Sequence, residues 1–132
     1  MKSHITDGAI SELQVAALLL EHGWAVAFPF THQNPFDLII YKDGKVRTVQ
    51  VKSGTYAENQ HTVIKSDYSK YAEVDYIILH DRIQQQFYIF SKGELNNRRT
   101  VTMDPKKHTQ QHNNRKRSQS TQQQKPNKTT KK

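Results

Sequence analysis

The chain has 132 residues and no cysteine, enough for one domain with a real core, and neither disulfides nor thiolate zinc sites can hold it together. Its formal net charge is +8, but residues 104–132 carry nine Lys or Arg against one Asp and leave residues 1–103 neutral. The basic balance therefore describes that tail, which has no aliphatic or aromatic residue and is expected to be disordered because it cannot offset its ordering entropy. No apolar run approaches the length of a membrane span, and the start, "MKSHITDGAISEL", is polar and then amphipathic, unlike a secretory signal. An intracellular, cytoplasmic protein is the expectation.

Residues 8–22 carry the strongest helical periodicity, with Thr6 or Asp7 available as a cap and Gly23 as the stop. A strand follows over 24–30, then the loop "THQNP", then a hairpin of residues 36–41 and 45–52 around Asp43-Gly44. Residues 54–74 read as a long polar connection with a short helix near 68–72. Strands are expected at 75–81 and 86–90, and "RRTVTM" forms a last edge element. Helix, three strands, short helix and two strands make a small α/β (α+β) domain with a mixed sheet over residues 1–103.

The hairpin "NPFDLIIYKDGKVRTVQVKS" (34–53) places polar residues among its strand positions. With a two-residue Asp43-Gly44 loop, Lys42 faces Lys45 and Asp37 faces Gln50. Alternation then puts Asp37, Gln50 and Lys52 on one side, with Phe36, Leu38, Ile40, Val49 and Val51 on the other. Opposed Cβ atoms lie roughly 5 Å apart, so a carboxylate, an amide and an ammonium converge at one end of the hairpin. A slip of one residue would undo this arrangement.

On the helix, the apolar arc runs through Val15, Leu19, Ala16, Ala9, Leu20, Leu13, Ala17 and Ile10, and Glu12 falls inside it. Ser11, Gln14, Glu21 and His22 take the opposite face. A carboxylate on a packed face is costly unless it meets a cation or donor, so Glu12 is expected to reach the hairpin cluster. The bland reading makes Glu12 a first-turn charge favoured by the helix dipole, and Asp37 and Lys52 solvated strand-end residues. The agreement of the hairpin register with the position of Glu12 favours the functional reading. The scattered histidines receive no role, and Tyr68, Tyr71, Tyr76 and Tyr88 are read mainly as core or sheet residues.

Two carboxylates and an amide oxygen are hard ligands that suit Mg²⁺ or Mn²⁺. A lysine beside such an ion suits phosphodiester hydrolysis. In these residues the chain resembles the PD-(D/E)XK nuclease superfamily, over roughly residues 8–53. By position, Glu12 matches the helical glutamate of that superfamily and Asp37 the motif aspartate. Gln50 stands at the (D/E) place and Lys52 is the motif lysine. The "QVK" form is similar to a subset with intron-encoded homing endonucleases and some Holliday junction resolvases.

The resemblance implies a restriction-endonuclease-like core whose central sheet is flanked by helices. It also implies a Mg²⁺-dependent DNA endonuclease, with Mn²⁺ a possible substitute. Glu12, Asp37, Gln50 and the Val51 carbonyl would hold the ion, and Lys52 would position and activate water. Ser53, Tyr56 and Lys65, in or beside the segment after the lysine, are candidate DNA contacts. A double-strand cut needs two sites, so a homo-oligomer, dimer or tetramer, is expected. The departure of Gln50 from an acid leaves open a binding module that has lost catalysis.

Deleting residues 104–132 is expected to flatten the slope of log K against log salt for duplex DNA by roughly two to three units, if a third of the basic residues contact phosphate. The cleavage position on a preferred site should not move, because phosphate contacts carry no direct sequence information. Salt titrations of both forms by fluorescence anisotropy check the slope, and a truncated chain that unfolds would make the tail part of the domain.

Overall fold

The computed structural model describes residues 4–54, 57–58 and 61–103. The expected disordered tail and Tyr56 lie outside the described residues. Helix α1 spans His4–Glu21. It includes Thr6 and Asp7, so neither is its cap. The Asp7 carboxylate instead pairs with Arg82 across 3.1 Å, and the same guanidinium donates to the Asp7 carbonyl. The far end closes as a Schellman motif. Gly23 adopts φ +91°, its N–H donates to the Leu20 carbonyl, and the Trp24 N–H donates to that of Leu19. Lys42 adds a cation at this helix end, donating to the His22 carbonyl at 2.8 Å with its ammonium over the Trp24 ring.

The strands are β1 (Ala25–Ala27), β2 (Leu38–Lys42), β3 (Lys45–Gly54), β4 (Ala57–Glu58), β5 (His61–Lys65), β6 (Tyr76–Asp81), β7 (Gln86–Ser91) and β8 (Thr100–Met103). A 3-10 helix, Tyr68–Tyr71, precedes β6. The central sheet is mixed, in the order β1-β2-β3-β6-β7, with β3 and β6 parallel and the other pairs antiparallel. A second sheet, β4-β5-β8, was not expected, since residues 54–74 read as a polar connection. Its middle strand pairs with β8, so the last strand joins this second sheet and not the edge of the first. One face of the central sheet is therefore covered by α1, while the second sheet and the 3-10 helix lie against the other.

Alternation divides the core accordingly. Val15 and Leu19 of α1 pack with Leu38, Ile40, Val49, Val51 and Ile78. On the opposite face Ile77, Leu79, Tyr88 and Phe90 pack with Ile64, Tyr68, Leu95, Val101 and Met103. The helix is rotated from the arc expected of it. Ser11, assigned to the polar face, is fully buried, whereas Leu13 and Leu20 are 61% and 58% exposed. The cause is a buried polar partner: Ser11 Oγ lies 2.9 Å from His80 Nδ1, and the His80 ring stacks on Phe87.

Gly54 marks the place where β3 passes under the second sheet. A Cβ there would stand 2.6 Å from Ile64 Cγ1 and 2.8 Å from Thr62 Cγ2, both on buried side chains. Thr62 cannot swing aside cheaply, because its hydroxyl donates to Asp81 Oδ1 at 2.6 Å. Gly54→Ala is therefore expected to cost about 1–3 kcal/mol through overpacking. Urea denaturation reads this as a lower midpoint, and an unchanged midpoint would show that the second sheet shifts freely.

Candidate active site

The hairpin turn sets the site. Asp43 and Gly44 both have positive φ, 52° and 79°, as a two-residue turn matched to the twist of the strands requires. Lys42 pairs with Lys45 and Leu38 with Val49, and Asp37 lies one step before β2, where this pairing ends. Asp37 N–H donates to the carbonyl of the same Val49 at 2.8 Å, one residue off the register, so the pairing ends in a bulge-like step. Beyond that point β3 continues without β2 beside it. Peptide groups point alternately to either side of a strand, so both polar groups of Val51 face the gap. Asp37 Oδ2 accepts the Val51 N–H at 3.0 Å. The Val51 carbonyl accepts Gln50 Nε2 at 3.3 Å.

Gln50 is only 7% exposed, and Lys52 is half-buried two residues further along the same face. Glu12, half-exposed on α1, feels the charge of Asp37. Burial, and then the Asp37 carboxylate, hold the Glu12 carboxyl above its ordinary range, while His32 acts to lower it. Burial likewise raises Asp37, against the Val51 N–H, the Lys52 ammonium and His32. The structure thus brings Glu12, Asp37, Gln50, Val51 and Lys52 together. It also adds two residues the sequence reading left without a role here. His32 lies in the loop before Asp37, with its charge bearing on both carboxylates, and Tyr71 has its ring centroid 5.0 Å from the Lys52 ammonium. Neither has a local sequence signal, since both meet the site through tertiary folding.

The candidate DNA contacts scatter. Ser53 pairs in register with His80 and, by alternation, belongs to the face opposite Lys52. Lys65 is exposed at the end of β5, and Tyr56 is outside the described residues.

The donor set has the chemistry of a hard-cation site. Among the described residues no three His, Asp or Glu side chains cluster closely enough to hold an ion by themselves. Two carboxylates whose proton affinities are both raised nevertheless stand beside an amide and an open-edge carbonyl. A divalent ion would offset their repulsion and accept the neutral oxygens as further ligands.

Residues 2–123 match the PD-(D/E)XK endonuclease family. The chain belongs to that family. It is also 33% identical over 98 residues to Protein 5.3 of Escherichia phage T7, covering 70% of this chain and 82% of that protein. The fold is similar to that of a bacterial homing endonuclease, I-Ssp6803I, with a TM-score of 0.71 and 22% identity, covering 78% of this chain and 76% of that one. The mixed α+β core is thus of the restriction-endonuclease-like type that the motif residues imply. PD-(D/E)XK nucleases generally use divalent metals, and membership of the family implies a DNA substrate. No described helix is long and apolar enough to cross a membrane.

The raised carboxyls give a signed prediction. Their folded values exceed the unfolded 4.5 of Glu12 and 3.8 of Asp37. The folded state therefore binds these protons more tightly, and the stability they contribute is present below those unfolded values and lost as pH rises through the folded ones. Glu12→Gln should raise the Tm of the metal-free protein at pH 8, with the gain shrinking as the pH falls toward 4.5. Mg²⁺ should raise the Tm of the native chain more than that of the variant. Differential scanning calorimetry with chelator or Mg²⁺ checks both, and a variant less stable than the native chain at pH 8 contradicts the repulsion.

Proposed function

We propose that the chain is a divalent-metal-dependent DNA endonuclease that hydrolyses phosphodiester bonds. The observation that carries this reading is the Asp37–Val51 hydrogen bond where β3 leaves β2. It fixes a carboxylate against Val51, between Gln50 and Lys52 in the chain, with Glu12 approaching from α1. Asp37, Glu12, the Gln50 amide oxygen and the Val51 carbonyl are the residues that would hold the ion, Mg²⁺ by the hardness of the donors, with Mn²⁺ a substitute. Held there, the ion would supply positive charge to the scissile phosphate and a more acidic attacking water.

The residues of the chain do the positioning. Asp37, tied through Oδ2 to the Val51 N–H, keeps Oδ1 for the ion. Gln50, tied through Nε2 to the Val51 carbonyl, keeps its oxygen end. Lys52 hydrogen-bonds the water and stabilises the negative charge that grows on the phosphate as the bond to the leaving oxygen breaks. A cut through both strands needs two such sites, which supports an active dimer or tetramer. A homing-type long site and a four-way junction both fit this chemistry. Residues 1–103 form the nuclease domain in this reading, and the basic tail adds non-specific affinity.

A second reading, a DNA-binding module without catalysis, is favoured by one observation, the neutral Gln50 at the place of an acid. Purified protein incubated with supercoiled plasmid and with a four-way junction, in Mg²⁺, Mn²⁺ or chelator, separates the two. Metal-dependent cleavage supports the nuclease, and shifted bands without cleavage support the binder.

Lys52→Ala is expected to lower kcat by about 10²–10³, the scale of losing one preorganised charge-stabilising donor, while DNA affinity at low salt stays near that of the native chain. Asp37→Ala should abolish cleavage and weaken Mg²⁺ binding in calorimetry. Gln50→Glu should still cleave and bind Mg²⁺ more tightly, whereas Gln50→Leu should lose most activity. A leucine variant with full activity would reduce Gln50 to a spacer.

A further inference from the structure

We propose that Tyr71 is the positioning residue for Lys52, holding its ammonium in the site by a cation–π contact; the inference rests on the nuclease reading above. The Lys52 ammonium stands 5.0 Å from the centroid of the Tyr71 ring, within the range where the negative face of an aromatic ring attracts a cation. Among the described residues no carboxylate forms an ion pair with Lys52, and Asp37 acts on it only through its field. A lysine side chain otherwise spreads over many rotamers.

The ring has the support this task needs. Tyr71 is half-buried and packs against the core cluster built on Leu79, Tyr88 and Phe90. The 3-10 helix that carries it is fixed at its N-terminal end. Asp67 accepts from the N–H and the hydroxyl of Ser69, and the buried Tyr68 hydroxyl donates to the Ile64 carbonyl. The ring is therefore presented by a segment that the second sheet and the core hold in place.

A neutral ring also suits a site that gathers positive charge. A divalent ion bound by Asp37 and Glu12 would cancel the field through which Asp37 draws Lys52, and would itself repel the ammonium. A third carboxylate placed to hold the lysine would be drawn to the ion instead. The π face competes for no ligand position, so it keeps Lys52 in reach of the water when the ion is present.

Kinetics and NMR test this on the full chain. Tyr71→Phe keeps the ring and should retain kcat within about twofold, whereas Tyr71→Leu should lower kcat about tenfold with KM for DNA unchanged. In the metal-free protein the Lys52 ε-methylene protons should be shifted upfield by the ring in the native chain and in Tyr71→Phe, and unshifted in Tyr71→Leu. A leucine variant that cleaves at the native rate, or a phenylalanine variant as slow as the leucine one, overturns the proposal. So does a native chain without the upfield shift, a result that needs no variant to fold. A native chain that shows the shift but cleaves no DNA overturns the nuclease reading itself and leaves only the contact.

Discussion

Strand β3 runs through ten residues and its neighbour β2 through five, and the candidate site lies in the difference. As far as Val49, β3 pairs with β2, and at Val49 the pairing with β6 begins. Beyond it, only the parallel pairing with β6 continues. The peptide groups of Val51 on the vacated side then need partners, since an unpaired buried N–H is costly. Asp37 supplies one from its side chain, which the turn and its register bring to the end of β2 beside Val51. The same bond that completes the backbone pairing therefore brings a carboxylate to the edge of the sheet. The Val51 carbonyl beside it meets only a long contact with the Gln50 amide. A requirement of the fold and the assembly of the site are here one event.

The two faces of the sheet divide the remaining work. The α1 face brings Glu12, and the rotation of that helix is fixed by features of unequal kind. Val15 and Leu19 pack without direction, whereas the Ser11–His80 and Asp7–Arg82 contacts are directional and join α1 to the end of β6 and the turn that follows it. Ser11 precedes Glu12, so this polar anchor sits one residue from the carboxylate. The opposite face brings Gln50 and Lys52 against the second sheet and the 3-10 helix. There Gly54 allows the close approach of β5, and Tyr71 reaches the lysine. Each face contributes charged groups, and they meet where the strands part.

Much of this was legible locally. The Asp43-Gly44 turn specified the register from Lys42–Lys45 as far as Leu38–Val49, because a two-residue loop leaves no freedom to slip. Gly23 specified the helix end for an equally local reason, its positive φ. Apart from the helix start, which lies before Thr6 and Asp7, the misses were long-range. Strand β5 has only Val63 and Ile64 as an apolar signal, and its partner β8 lies far along the chain, so nothing near "HTVIK" announces a sheet. The helix was rotated in the sequence reading because Ser11 counted as polar and His80 as unassigned, although each satisfies the other in the interior. Leu13 and Leu20 were placed inside by hydropathy alone, and a helix cannot bury both those residues and Ser11. His32 and Tyr71 reach the site through loop placement and the 3-10 helix, which periodicity does not describe.

The neutral residue at position 50 follows the same electrostatic logic. Gln50 is almost completely buried, one residue from the Val51 N–H that holds a carboxylate which burial already drives toward protonation. An acid at that position would bring a third negative charge into a space with one nearby ammonium and one histidine. Without a bound cation its desolvation would go largely uncompensated. A glutamine avoids that cost and can still accept a cation through its oxygen, and its Nε2 offers the Val51 carbonyl a donor that a carboxylate cannot. The exchange costs metal attraction, since a neutral oxygen holds a divalent ion less strongly than a charged one. In the proposed metal site the glutamine would therefore shift the balance from affinity for the ion toward stability of the empty fold, with Glu12 and Asp37 as its carboxylates.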